Sequence, residues 1–191
     1  MEPELYRMAP DGVSLHFARL EEAGDTAYAS VAGGPAGLDD RVENYIRGMA
    51  GPARALAAVR PAVVLFGMTA ASYGVPGRDA KLADDLASLT GAKAITAAGA
   101  IRAALEHLGV KRLALGTPYP ESISQQGRAY WGTVGFRVVG YHRLPDVDNI
   151  YAENEQRAYL LARAADTPDA DAVLLSGTGL PTVTVLDALE R

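Results

Sequence analysis

The sequence predicts an α/β protein of two αβα lobes with parallel sheets and a ligand cleft between the lobes. Three observations carry that prediction. Apolar, strand-like runs alternate with helical stretches along the whole chain, the pattern of parallel sheets covered by helices. These runs repeatedly end in glycine and hydroxyl residues, as strands do where α/β proteins hold ligands. Two segments, VVLFGMTAASYG and AVLLSGTGLPT, are a weak internal echo of each other, each an apolar strand followed by a small-residue loop.

Taken in order, Val13 to Ala18 (VSLHFA) alternates and reads as a strand. Asp39 to Val59 reads as a helix, kinked or broken at Pro52. The continuous apolar run Pro61 to Phe66 reads as a strand covered on both faces, ending in the loop Gly67 to Gly74. Helix Arg78 to Leu89, strand Ala94 to Thr96 and helix Ala97 to Leu108 follow, the last stopped by Gly109. A lobe boundary near Gly109-Val110 divides the chain into 1–110 and 111–191. The second lobe then reads as strand Lys111 to Leu115, loop Gly116 to Pro120 and helix Glu121 to Trp131. Strand Phe136 to Tyr141, helix Asn149 to Ala165, strand Asp171 to Ser176 and a last helix from Pro181 complete it.

Composition excludes several classes of function. The chain of 191 residues is 49% hydrophobic and 21% charged, ordinary for a globular protein that buries a core. A net charge of −5 with scattered Lys and Arg argues against nucleic acid and against a membrane surface. The absence of cysteine excludes disulfides, thiolate metal sites and thiol catalysis. The acidic start MEPELY is no signal peptide, and no apolar stretch reaches the roughly 20 residues that span a bilayer; the expected location is cytoplasmic. His16, His107 and His142 are not at ligand spacing, so no metal is expected. Asp84-Asp85, Glu153 and Glu155 read as solvated helix faces, and Tyr130, Trp131 and Phe136 as the packing of a helix on a strand.

Three loops could carry chemistry. In GMTAAS the Thr69 hydroxyl and the amides after it can hold a carboxylate or an oxyanion, or Thr69 can simply cap a helix. In SGTG the glycines let a small anion approach the backbone, or the stretch is a plain turn. A dinucleotide fingerprint is the weaker alternative there, because Thr182 stands where the last glycine belongs. In TPYP the Tyr119 phenol can donate to an oxyanion, or pack over the turn between Pro118 and Pro120.

Together the three loops resemble the maleate cis–trans isomerase and arylmalonate decarboxylase family of the aspartate/glutamate racemase superfamily. The resemblance runs through MEPELYRMAPDGVSLHFARL, FGMTAASYG, AALEHLGVKRLALGTPYP and AVLLSGTGLPTVTVLDAL. It implies a cofactor-independent protein that takes a small dicarboxylate of the maleate or malonate type. By position, the implied dioxyanion hole uses the hydroxyls of Thr69 and Tyr119 and the amides of Ala70, Thr178 and Gly179, with Met68, Gly177 and Leu180 also against the ligand. Thr69, Tyr119 and Thr178 are the expected catalytic residues. The sequence departs from the family where the chemistry is done: Met68 stands at the first-loop position that carries cysteine in isomerases and glycine in decarboxylases. Gly177 stands where a pattern like SCGG carries the other cysteine, and Ala70 replaces a serine. The resemblance also implies a strand with a PSSN-like loop before the point where this chain begins, and a strand and helix beyond its end; either the sequence is a shortened one, or the open sheet edges are closed by association, as in a homo-oligomer. Three functions remain at this stage: a divergent lyase or isomerase, a non-catalytic binder of small carboxylates or degenerate remnant, and a nucleotide-binding module.

Overall fold

The computed structural model describes residues 2–20 and 35–190. By its internal contacts the chain divides into two compact units, residues 2–100 and 101–191, a division lying ahead of the Gly109-Val110 boundary read from the sequence.

The first unit contains α1 (Glu2–Met8), α2 (Pro35–Gly48), α3 (Ala50–Ala57), β1 (Val63–Phe66), a 3-10 turn (Thr69–Ser72), α4 (Arg78–Thr90) and β2 (Lys93–Thr96), and then the start of α5 (Ala97–His107). β1 and β2 run parallel, in register from Val63 opposite Lys93 to Phe66 opposite Thr96. α4 packs against both strands, against α3 and against the 3-10 turn. Its apolar stripe places Leu82 and Leu86 in a core with Val42, Met49, Val64 and Phe66. α4 stops at Gly91, whose φ of 67° is the left-handed conformation that glycine adopts without strain.

Three expectations change here. β1 is not covered on both faces: Val64 and Phe66 are buried, while Val63 and Leu65 are 54% and 43% exposed among the described residues. Residues 13–20 form no strand, because alternation makes a strand only where a neighbouring backbone completes its hydrogen bonds; Phe17 instead meets the edge of Tyr6 at 5.6 Å. The helix expected over 39–59 breaks at Met49, not at Pro52. Pro52 is the third residue of α3, where a backbone amide has no acceptor within the helix, so proline costs little.

The second unit contains β3 (Arg112–Thr117), α6 (Glu121–Thr133), β4 (Arg137–Arg143), a 3-10 turn (Ile150–Ala152), α7 (Glu155–Ala165), β5 (Ala172–Leu175), another 3-10 turn (Val183–Val185) and α8 (Leu186–Leu189), after the end of α5. Its sheet is parallel in the order β4-β3-β5, and α7 packs against all three strands. Leu113, Ala114 and Leu115 of the central strand are wholly buried, as is Trp131, which meets the edges of Tyr130 and Phe136. The helix expected from Asn149 is two elements, each with an asparagine cap. The Asn149 side chain accepts from the Tyr151 amide at 3.0 Å, and the Asn154 side chain accepts from the Arg157 amide at 2.9 Å.

The N-terminal ends of β3 and β5 are stapled by Asp171. It accepts from the amides of Lys111 and Arg112 at 3.0 and 2.8 Å and pairs with the Arg112 guanidinium at 2.7 Å. The guanidinium hydrogen bond, with the two amides, holds the Asp171 carboxyl at about 2.

Candidate functional site

In the first unit, the loop after β1 turns tightly. The Met68 amide donates back to the Phe66 carbonyl at 3.0 Å, the Ala71 amide to the Met68 carbonyl at 3.3 Å and the Tyr73 amide to the Ala70 carbonyl at 3.1 Å. Thr69, Ala70, Ala71 and Ser72 are all buried. Met68 packs against the core of the unit, so its thioether is anchored in apolar surroundings. Thr69 is the unusual residue. It is completely buried, yet its Oγ1 has no hydrogen-bond partner. Nor does it cap the turn: Met68 is the N-cap, and no side-chain cap bond is made. A buried hydroxyl in that state costs about 1–3 kcal/mol, so each such group in a folded protein calls for an explanation. The first amides of a 3-10 turn likewise have no acceptor inside the turn, which leaves the Ala70 amide beside the Thr69 hydroxyl as a second donor.

The opposite end of this turn is tied down. Ser72 Oγ donates to Asp79 Oδ1 at 2.6 Å, and Thr96 Oγ1 donates to the same oxygen. Thr96 Oγ1 in turn accepts from the Gly99 amide at 2.9 Å, as an N-cap does. Arg78 adds a second tie, donating to the Tyr73 carbonyl at 3.4 Å and pairing with Glu43.

In the second unit, the loops after β3 and β5 lie side by side. The Ser176 amide donates to the Gly116 carbonyl at 2.9 Å, continuing the β3–β5 ladder to the loop. The Leu180 amide donates to the Gly177 carbonyl at 2.9 Å, so SGTG closes as a turn with Thr178 and Gly179 at its centre. Leu180 itself is a core residue, packed with Leu144, Ala158 and Leu161. Pro118, next to Tyr119, reaches Gly177: a Cβ on Gly177 would lie 2.8 Å from Pro118 Cγ and 2.9 Å from Ile150 Cδ1. The φ of Gly177 is +139°, a conformation that side chains disfavour. A Cβ on Gly179 would lie 2.9 Å from the Tyr151 ring. Below Tyr119 a buried relay fixes the loop: Ser124 Oγ donates to the Tyr119 carbonyl at 3.0 Å, so its contact with Thr117 Oγ1 at 2.5 Å is made with the Thr117 proton.

Thr69, Ala70 and Met68 therefore belong to one unit, and Tyr119, Gly177, Thr178, Gly179 and Leu180 to the other. Within each unit the expected residues sit on adjoining backbone at the C-terminal ends of parallel strands. Sequence reading missed Asp79, Ser72 and Thr96, and it missed Pro118 and Ile150 against Gly177. Both sets join residues distant in the chain, and neither leaves a local signal. Among the described residues no three His, Cys, Asp or Glu side chains gather as metal ligands, and no helix is long and apolar enough to cross a membrane.

Residues 33–191 match the arylmalonate decarboxylase family, which is most of the chain and includes all three loops. The chain belongs to the arylmalonate decarboxylase family. Solved structures agree. An arylmalonate decarboxylase is 28% identical at a TM-score of 0.68, over 78% of this chain and 68% of that one. A maleate cis–trans isomerase mutant from Nocardia farcinica, with a covalently bound succinylcysteine intermediate, is 26% identical at 0.70, over 82% and 66%. A maleate isomerase variant from Pseudomonas putida S16 with maleate shares the fold at 0.74 and 23% identity, over 79% of this chain and 64% of that one. This chain thus spans less than two thirds of the isomerase's length. No curated protein matches the chain.

Proposed function

We propose that this member of the family holds a small dicarboxylate of the maleate or malonate type by neutral hydrogen-bond donors, with no cofactor. The observation that carries this reading is the buried, unpartnered hydroxyl of Thr69 at the C-terminal end of a parallel strand. A carboxylate or enediolate oxygen there would satisfy that hydroxyl and the neighbouring Ala70 amide. The second set of donors in this reading is the Tyr119 hydroxyl and the amides of Thr178 and Gly179. Pre-aimed neutral donors stabilise developing negative charge strongly where water is excluded.

Binding without the family's thiol chemistry is the form of this function that the chain supports best. The sequence has no cysteine, and the Cβ position of Gly177 is filled by Pro118 and Ile150. Threonine and tyrosine hydroxyls are weak acids near neutral pH, so decarboxylation or isomerisation by this chain would require one of them, or a water, to deliver the proton.

The test is calorimetric titration of the parent and of Thr69→Val with phenylmalonate and with maleate. Proton NMR in D2O follows turnover in parallel. Saturable binding is expected, weakened about tenfold or more by Thr69→Val, which corresponds to about 1.4 kcal/mol. The unliganded variant should melt at or above the parent temperature, because the substitution removes an unsatisfied hydroxyl. Equal affinity in parent and variant would remove Thr69 from the site. Formation of fumarate or deuterated phenylacetate by the parent would move the assignment from binder to enzyme.

A further inference from the structure

We propose that Asp79 is a positioning residue: through Ser72 it fixes the 3-10 turn that presents the Thr69 hydroxyl, and this role rests on the carboxylate-site reading of Thr69. The turn is only four residues long and begins directly after β1. Its first end is anchored by the strand and by the Met68-to-Phe66 hydrogen bond. Its last residue, Ser72, is 1% exposed and donates to Asp79 Oδ1 at 2.6 Å. The same oxygen accepts from Thr96, the last residue of β2 and the cap of α5.

One carboxylate oxygen therefore joins the turn, the first helical turn of α4 and the junction of β2 with α5. Hydroxyl-to-carboxylate bonds are short and strong, and two hydroxyls on one oxygen fix both in orientation. Thr96 is held from both sides, since its proton goes to Asp79 and its oxygen accepts from the Gly99 amide. Gly99 leaves little room above the cluster: a Cβ there would lie 3.1 Å from Thr96 Oγ1 and 3.4 Å from Asp79 Oδ2. Without Asp79, the Ser72 end of the turn loses its side-chain anchor, and the Thr69 hydroxyl and Ala70 amide lose the fixed separation that a bound carboxylate needs.

The test compares the parent with Ser72→Ala, Asp79→Ala and Asp79→Asn. Asparagine keeps an acceptor oxygen of the same reach, so it is the conservative rescue. Ser88→Ala, which removes an exposed hydroxyl bond to the Asp84 carbonyl on the same helix, is the control for loss of helix stability. Two measurements are made at a temperature where every variant is folded by circular dichroism: phenylmalonate affinity by calorimetry, and hydrogen exchange without ligand of the Ala71 and Tyr73 amides, whose bonds to the Met68 and Ala70 carbonyls close the turn. Ser72→Ala and Asp79→Ala should weaken binding roughly tenfold, about 1.4 kcal/mol, and speed exchange of those two amides by a similar factor. Asp79→Asn and Ser88→Ala should stay near the parent in both. Unchanged Ala71 and Tyr73 exchange in Ser72→Ala and Asp79→Ala overturns the positioning role, and so does exchange that quickens equally in Ser88→Ala. A parent that binds neither phenylmalonate nor maleate defeats the carboxylate reading instead, while the exchange result still decides whether Asp79 fixes the turn.

Discussion

Putting a side chain at Gly177 tests whether the packing around this position leaves room for one. In Gly177→Ala the new Cβ would sit 2.8 Å from Pro118 Cγ, 3.2 Å from Pro118 Cδ and 2.9 Å from Ile150 Cδ1. Ordinary contacts begin near 3.4 Å. The proline ring cannot turn away by a rotamer change, whereas Ile150 Cδ1 can. Overpacking of this kind costs about 1–3 kcal/mol, and holding a non-glycine residue at the φ of +139° adds about 1–3 kcal/mol. The sum, about 2–6 kcal/mol, is a large part of the 5–15 kcal/mol that stabilises a typical protein. At roughly 2–4 °C per kcal/mol for a chain of this length, the melting temperature falls on the order of 10 °C. Differential scanning fluorimetry and urea unfolding of Gly177→Ala, Gly177→Cys, Ile150→Ala and the Gly177→Cys/Ile150→Ala double variant provide the assay. The double variant should be more stable than the sum of its single changes predicts, by about 0.5–3 kcal/mol of coupling. Stability of both single Gly177 variants within about 0.5 kcal/mol of the parent, inside the ordinary scatter of surface substitutions, would refute the filled-position argument. The position would then have room for a side chain.

Two further outcomes follow from the second unit. Asp171 has a folded pKa lowered from 3.8 to about 2, so its stabilising effect is fully present above the unfolded value and is lost as pH falls from about 4 towards 2; Asp171→Asn should flatten the melting-temperature profile over that window and leave the profile above pH 5 with the same slope. Ser124→Ala removes the acceptor of the buried Thr117 hydroxyl and the donor to the Tyr119 carbonyl; it should cost about 1–3 kcal/mol in urea unfolding and speed hydrogen exchange in residues 117–120, whereas an unchanged exchange rate there would show that the loop is held by its backbone alone.

Much of this protein was legible in the sequence because the signals are local. Alternating apolar runs and helical stretches fix the order of strands and helices, since each element is selected by its own periodicity. The motif order FGMTAAS, GTPYP and SGTG carries the family. The tertiary structure decided what depends on neighbours distant in the chain. VSLHFA has the alternation of a strand but completes no ladder, and VVLF has the composition of a doubly covered strand but buries one face. The orphaned hydroxyl of Thr69 is a fact of burial, which no local pattern encodes. Asp79 looks in sequence like any acidic residue in the first turn of a helix. It becomes the anchor of the turn only because Ser72 and Thr96 converge on one of its oxygens. The sequence reads Gly177 as a small residue that leaves a ligand room; packed against Pro118 and Ile150, it is a position with no space for a side chain. Composition and spacing choose the elements and the family, while burial and steric contact, set by residues far apart in the chain, decide which hydroxyls are left without a partner and which positions have room for a side chain.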